Sequence, residues 1–237
     1  FSQVRPGVQS RRFPTAPAGA VFAGDPGVPR ATIETRRRNF APRFGFALDL
    51  FGDGKTSLRG GYGIFVSQIR QQAHNQISTN QPFSLKLIAN APPSLANPYG
   101  HTGVVFPFRP PRTPEERNTY NFVFPLNVTQ WDPFFRNAYV QQWNLNLQRE
   151  VFGAYLVTAA YVGSKGTHLF TQNEANPAIY LAGRSTVANI DARRILAPTF
   201  ASIVNQISVG NSNYHSLQLS VNKRMLRGFS VLSAYTL

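Results

Sequence analysis

Four histidines are the residues of this chain best suited to acid–base or metal chemistry, and their spacing supports neither. His74, His101, His168 and His215 stand far apart, and none lies at a metal-ligand interval from another. His215 falls on the apolar side of an alternating segment, near its end, where a hydrogen-bonded or interfacial role is expected. Glu115 and Glu116 are adjacent in a Pro-rich stretch, so they do not share one face and read as solvated carboxylates. The chain has no cysteine, which excludes disulfides, zinc–thiolate sites and thiol nucleophiles. No Ser–His–Asp arrangement stands out. No enzyme activity, catalytic residue, metal site or cofactor is expected.

Two glycine-bearing stretches could be mistaken for anion loops. GDPGVP at 24–29 lacks the Lys followed by Ser or Thr that a phosphate loop needs, and reads as a turn or loop lid. GSKGTH at 163–168 has no helix predicted after it, so no helix N-terminus is there to hold an anion. It reads as a strand passing into a loop, with Lys165 and His168 at the rim.

The formal charge is +14, from 24 Lys and Arg against 10 Asp and Glu. Arg36, Arg37 and Arg38 cluster, and Arg11–Arg12 and Arg193–Arg194 form pairs, but the other basic residues are scattered. That distribution makes nucleic acid an unexpected partner. Charged residues are only 14% of the chain, while Phe alone numbers 19. No apolar run reaches the length of a transmembrane helix, and no secretory leader is predicted in this stretch. SAYTL ends inside an alternating apolar run, as expected of a piece of a longer chain.

The elements that position these residues are strands. Period-two alternation marks three predicted hairpins, near 40–67, 138–164 and 213–237. In the first, Phe44, Phe46 and Leu48 share a face with Tyr62 and Ile64, while Arg43, Asp49 and Arg59 take the other. In the second, Trp143, Leu145 and Leu147 oppose Gln142, Asn144, Asn146 and Gln148. In the third, Leu217, Leu219 and Val221 oppose Gln218, Asn222 and Arg224. Short turns at 52–54, 151–153 and 227–228 join the arms, and long connections at 68–137 and 165–212 join the hairpins. TYNFVF at 119–124 could hold a further short strand.

Short turns alternating with long loops and arms of this length suit a transmembrane β-barrel. A half-buried soluble sheet also alternates. Polar faces made of Gln, Asn, Ser, Gly and Arg suit a wet, crowded interior better than bulk solvent. The predicted fold is therefore all-β: an antiparallel transmembrane barrel segment covering 1–237, with the short turns periplasmic and the long loops external. The ten polar-face residues are expected to face the lumen and the eleven apolar ones the membrane. Arg149 falls on the Trp143 face beside a turn, where it could snorkel to headgroups.

NFAPRFGFALDLFGDGKTSLRGGYGIF at 39–65 resembles a barrel segment of the Oar-like TonB-dependent receptors of the bacterial outer membrane, which carry a carboxypeptidase-regulatory-like domain and abound in acidobacteria. RPGVQSRRFPTAPAGAVFAGDPGVP at 5–29, QQWNLNLQRE at 141–150, AYVGSKGTHLF at 160–170 and NYHSLQLSVNKRMLRGFSVLSAYTL at 213–237 are similar to the same group, in the same order. The resemblance implies a 22-strand barrel around an N-terminal plug, a TonB-contacting segment before the plug, and solute entering from outside. Implied partners are outer-membrane lipid, the rest of the barrel and its plug, the TonB complex and an external solute. Neither plug nor regulatory-like domain is recognisable in these residues. Other readings are an adhesion or structural barrel that transports nothing, and a basic soluble β-protein that binds nucleic acid.

Overall fold

The fold is described from a computed structural model over residues 3–29, 39–68, 75–85, 94–100, 108–226 and 228–237. Its strands are β1 (Gln3–Val4), β2 (Ala20–Val21), β3 (Arg43–Asp49), β4 (Thr56–Val66), β5 (Leu126–Trp131), β6 (Tyr139–Val151), β7 (Tyr155–Glu174), β8 (Phe200–Leu226) and β9 (Phe229–Thr236). A short helix, α1, spans Pro114–Asn118. The chain divides into two units. One comprises Phe1–Thr35, Ile69–Phe135 and Thr171–Ile207, the other Arg36–Gln68, Arg136–Phe170 and Ser208–Leu237.

The second unit is a sheet of hairpins. β3 pairs antiparallel with β4, β4 with β6, β6 with β7, and β8 with β9. The turns follow from local chemistry. In the β3–β4 turn the Asp49 carboxylate accepts from the amides of Gly54 (2.8 Å) and Phe51 (3.4 Å), and Asp53 accepts from the Lys55 amide (2.9 Å). Gly52 and Gly54 take positive φ there, which glycine adopts without steric cost. Asp49 thus lies on the polar face of β3, as the alternation requires, while its carboxylate is engaged in closing the turn.

Two strands are longer than their sequence pattern suggests. β7 runs on to Glu174 and β8 starts at Phe200, so the connection expected over 165–212 narrows to 175–199. Within β7, His168 takes φ 56, a left-handed conformation, and the strand continues through it. Leu169 then packs against Gly166 and Gly210, which lack a Cβ in its way. GSKGTH is therefore strand interior, against the expectation of a strand passing into a loop.

The first unit differs from expectation in kind. β5 pairs parallel with β8, Leu126 opposite Phe200 and Trp131 opposite Gln206, so the strand set is mostly but not wholly antiparallel. TYNFVF forms no strand. Its Val123 amide bonds to the Gln81 side chain (2.9 Å), and Tyr120 and Phe122 pack edge to face at 4.7 Å. The core of this unit is aromatic: Phe13, Phe22, Phe122 and Phe200 with Leu126, Val128 and Ile203. Phe13 and Phe22 have centroids 4.5 Å apart, and Trp131 stacks edge-on to Phe135 at the same distance. Burying several such rings supplies the hydrophobic driving force that irregular backbone needs, each ring covering about 150–250 Å².

Side-chain polar groups complete the backbone bonding of this unit. The Asp25 carboxylate, buried at 5% exposure, accepts from Ser10 Oγ (2.7 Å) and from the amides of Arg11, Arg12 and Phe22. Burial opposes its charge, but these four donors prevail and hold its pKa below the ordinary carboxylate value. GDPGVP is thus built around a structural carboxylate. Asn176, fully buried, donates to the carbonyls of Phe200 (3.0 Å) and Ala201 (2.8 Å) and accepts from the Leu196 amide (2.9 Å).

Candidate functional site: a two-faced sheet

The registers turn alternation into two continuous surfaces. Residues directly opposite one another on neighbouring strands share a face. On one face Phe44 meets Tyr62, which meets Trp143, which meets Gly163. The next row is Phe46, Gly60, Leu145 and Tyr161, and the next Leu48, Leu58, Leu147 and Ala159. Ile64 lies on this face opposite Gln141. The hydrogen bond between Tyr161 and His215 puts the odd-numbered residues of β8, and with them Leu217, Leu219 and Val221, on the same side. Phe44 is 67% exposed and Leu145 48%, so the described residues leave this surface open.

The reverse face carries the polar set. Arg43, Gly63, Gln142 and Ser164 form one row; Ala47, Arg59, Asn146 and Ala160 another; Asp49, Ser57, Gln148 and Thr158 a third. Asn144 lies opposite Gly61. Arg224 approaches Glu150 at 3.8 Å, which aligns it, Asn222 and Gln218 with this side. All ten polar-face candidates therefore share one face, and all eleven apolar candidates share the other.

The polar face is not uniformly polar. Phe65 belongs to it, and the Arg43 guanidinium sits 4.4 Å from its ring centroid. Arg59 donates to Ser57 Oγ at 3.1 Å. Asn146 Oδ1 and Ser216 Oγ are buried without a hydrogen-bond partner among the described residues.

The apolar face has ordered polar atoms at one level. Tyr62 donates to Gln141 Oε1 at 2.6 Å, and the Tyr161 hydroxyl lies 2.7 Å from His215 Nδ1. The Trp143 indole crosses β7 over Gly163, where a Cβ would collide with it, and reaches within 6.0 Å of the His215 ring. His215 is therefore part of an aromatic lock across β6, β7 and β8. Lys165 lies one row further from the short turns, opposite Gln141. At the turn end of the same face Arg149 stands opposite Thr56, its guanidinium 5.5 Å from the Phe51 ring centroid. An apolar band thus lies between the Gln141–Lys165 row and the Arg149 row.

Among the described residues, no cluster of three His, Asp or Glu is disposed to hold a metal ion. Glu115 and Glu116 open α1. Glu116 accepts from the amides of Arg112 (2.6 Å) and Thr113 (3.1 Å) while the Thr113 side chain accepts from the Glu116 amide. Hydrogen bonds with these backbone groups lower the Glu116 pKa, and both acids serve the helix end. The Thr-x-x-Glu spacing at 113–116 was the available signal for this capping box.

The family described as "Outer membrane beta barrel domain" matches residues 1–237. No curated protein matches significantly. Among solved structures, the hemophore receptor HasR of Serratia marcescens, in complex with its hemophore HasA and heme, is similar at 9% identity and a TM-score of 0.36. That match covers 78% of this chain and 20% of the other. The siderophore receptor PirA of Pseudomonas aeruginosa is similar at 7% identity and a TM-score of 0.37, over 84% of this chain and 28% of the other. The chain thus spans under a third of the length of either receptor.

Proposed function

This chain belongs to the outer membrane beta barrel domain family, and from that premise we propose that it forms part of the barrel wall and external loops of a TonB-dependent receptor. In this reading the apolar face meets lipid and the polar face lines the lumen. The short turns are periplasmic, and the long connections are external. Solute binds at the external loops, the TonB complex acts on a plug supplied by another part of the protein, and the solute passes along the amide- and arginine-lined wall. The solute is left open, since the loop aromatics suit sugars, peptides and ring-bearing chelators alike.

The observation that supports this best is the height of the apolar band. From Gln141 to Arg149 β6 rises about 26 Å at roughly 3.3 Å per residue. At a strand tilt of about 40° that is about 20 Å along a bilayer normal, near the apolar belt of about 25 Å in outer-membrane barrels. Tyr and Trp near one edge and cations at both suit the bilayer interfaces.

The test is impermeant thiol labelling of intact cells producing the gene product that contains these residues, with Asp53→Cys or Asn97→Cys. Labelling at position 97 and protection at 53 are expected. The reverse pattern overturns the orientation, and protection of both positions in protein recovered soluble from the periplasm overturns the membrane reading. Uptake lost on deleting TonB supports the receptor. A barrel that assembles but shows no TonB-dependent uptake of any solute is an adhesion or structural protein instead.

A further inference from the structure

The geometry points to a phosphate-binding site for one phospholipid headgroup, formed by Arg149, Phe51 and Thr56 at the short-turn edge of the apolar face. The inference rests on the membrane orientation proposed above and adds a specific partner to it.

Arg149 is the last residue of the apolar face before the β6–β7 turn and stands directly opposite Thr56 on β4. Its guanidinium lies over the ring of Phe51, which is 66% exposed. A guanidinium over an aromatic face uses its flat surface for that contact and keeps its in-plane N–H donors directed outward. Among the described residues those donors have no acceptor. The nearby acids are occupied elsewhere: Asp49 and Asp53 accept turn amides, and Glu150 pairs with Arg224 on the opposite face.

A second donor is independently left over. Thr56 is only 3% exposed, yet among the described residues its Oγ1 has no hydrogen-bond partner. Side chains facing each other across an antiparallel pair have Cβ atoms about 4.5–5.5 Å apart, so this hydroxyl lies beside the Arg149 stem. A buried hydroxyl without an acceptor is costly, and an anionic oxygen drawn in beside Arg149 relieves that cost.

These features specify the ligand. A fork of N–H donors with an adjacent hydroxyl fits the non-bridging oxygens of a phosphodiester. The exposed Phe51 ring and Leu147, next toward the band, offer apolar contact to the glycerol and first acyl carbons. A lipid supplies both parts at this depth, whereas free phosphate supplies only the first. Lys55, exposed beside the turn, adds a second positive charge.

The test uses the gene product that contains this chain, purified in detergent and titrated with phosphatidylglycerol, read by native mass spectrometry. A galactosyl diacylglycerol with the same acyl chains and inorganic phosphate are the comparison probes. Wild type is expected to retain phosphatidylglycerol, and Arg149→Gln to weaken that retention about tenfold or more, the loss of one or two charge-assisted bonds. Arg149→Lys, which keeps the charge without the fork, and Thr56→Val are expected to weaken it severalfold. These two keep the proposal testable should Arg149→Gln fail to assemble. Undiminished retention in Arg149→Gln, equal binding of the phosphate-free lipid, or displacement by millimolar inorganic phosphate overturns the proposal. Outer-membrane fractionation of each variant is read separately. A protein absent from the membrane defeats the orientation, while a variant that inserts normally and loses only the lipid supports the site.

Discussion

Trp143 occupies the space that a side chain at Gly163 would need. The two are directly opposite in the β6–β7 register, and the indole lies across the glycine toward His215. A residue without a side chain on β7 thus lets one aromatic group connect three strands.

Gly163→Val is therefore expected to destabilise the sheet by about 1–3 kcal/mol, the usual cost of overpacking a fitted site. Urea unfolding of the protein in bilayers, followed by tryptophan fluorescence, measures it. Pairing the change with Trp143→Leu is expected to recover most of the loss, because the collision and its cause go together.

The two faces predict opposite responses to one substitution. Leu145→Arg puts a cation in the middle of the apolar band and is expected to cost about 2–4 kcal/mol of stability in a bilayer. Asn144→Arg, one residue away on the reverse face, is expected to cost far less. Comparing folded fractions of the two variants in lipid vesicles checks this, and equal effects would sink the assignment of faces.

Asp25 makes a local stretch sensitive to acid. Its folded pKa lies below its unfolded value, so its stabilisation is present above the unfolded pKa and is lost as pH falls through the folded one. Amide exchange across residues 10–25, measured from pH 7 downward, is expected to speed up in acid beyond its intrinsic pH dependence. Asp25→Asn is expected to show faster exchange already at neutral pH and to flatten that profile.

His168 tests the irregularity in β7. A β-branched side chain is strongly disfavoured at φ 56, so His168→Val is expected to cost about 1–2 kcal/mol. His168→Asn, which tolerates this conformation, is expected to be close to neutral in the same denaturation measurement.

Much of the sheet was legible from the chain because alternation is local. The faces of Gln142–Gln148 and Phe44–Leu48 depend only on successive side chains pointing opposite ways. The Thr113–Glu116 capping box is legible too, in its Thr-x-x-Glu spacing, and its acids are exposed as solvated carboxylates should be. The pairing of β5 with β8 was not legible, since Leu126 and Phe200 are far apart in sequence and nothing in either segment specifies a parallel partner. Nor was the continuation of β7 past His168, where glycine and histidine resemble a loop until Gly210 is seen to receive Leu169.

The sequence by itself determined two surfaces of opposite character, the short turns between them and the absence of cysteine chemistry, because composition and period need no knowledge of distant residues. Only the tertiary structure decided which residues complete each other. It set Arg149 over Phe51 and opposite Thr56, joined Trp143 to His215 across a glycine, and gathered Phe13, Phe22, Phe122 and Phe200 from three separate stretches into one core. Those contacts arise from register and packing between segments far apart in the chain, and no local pattern encodes them.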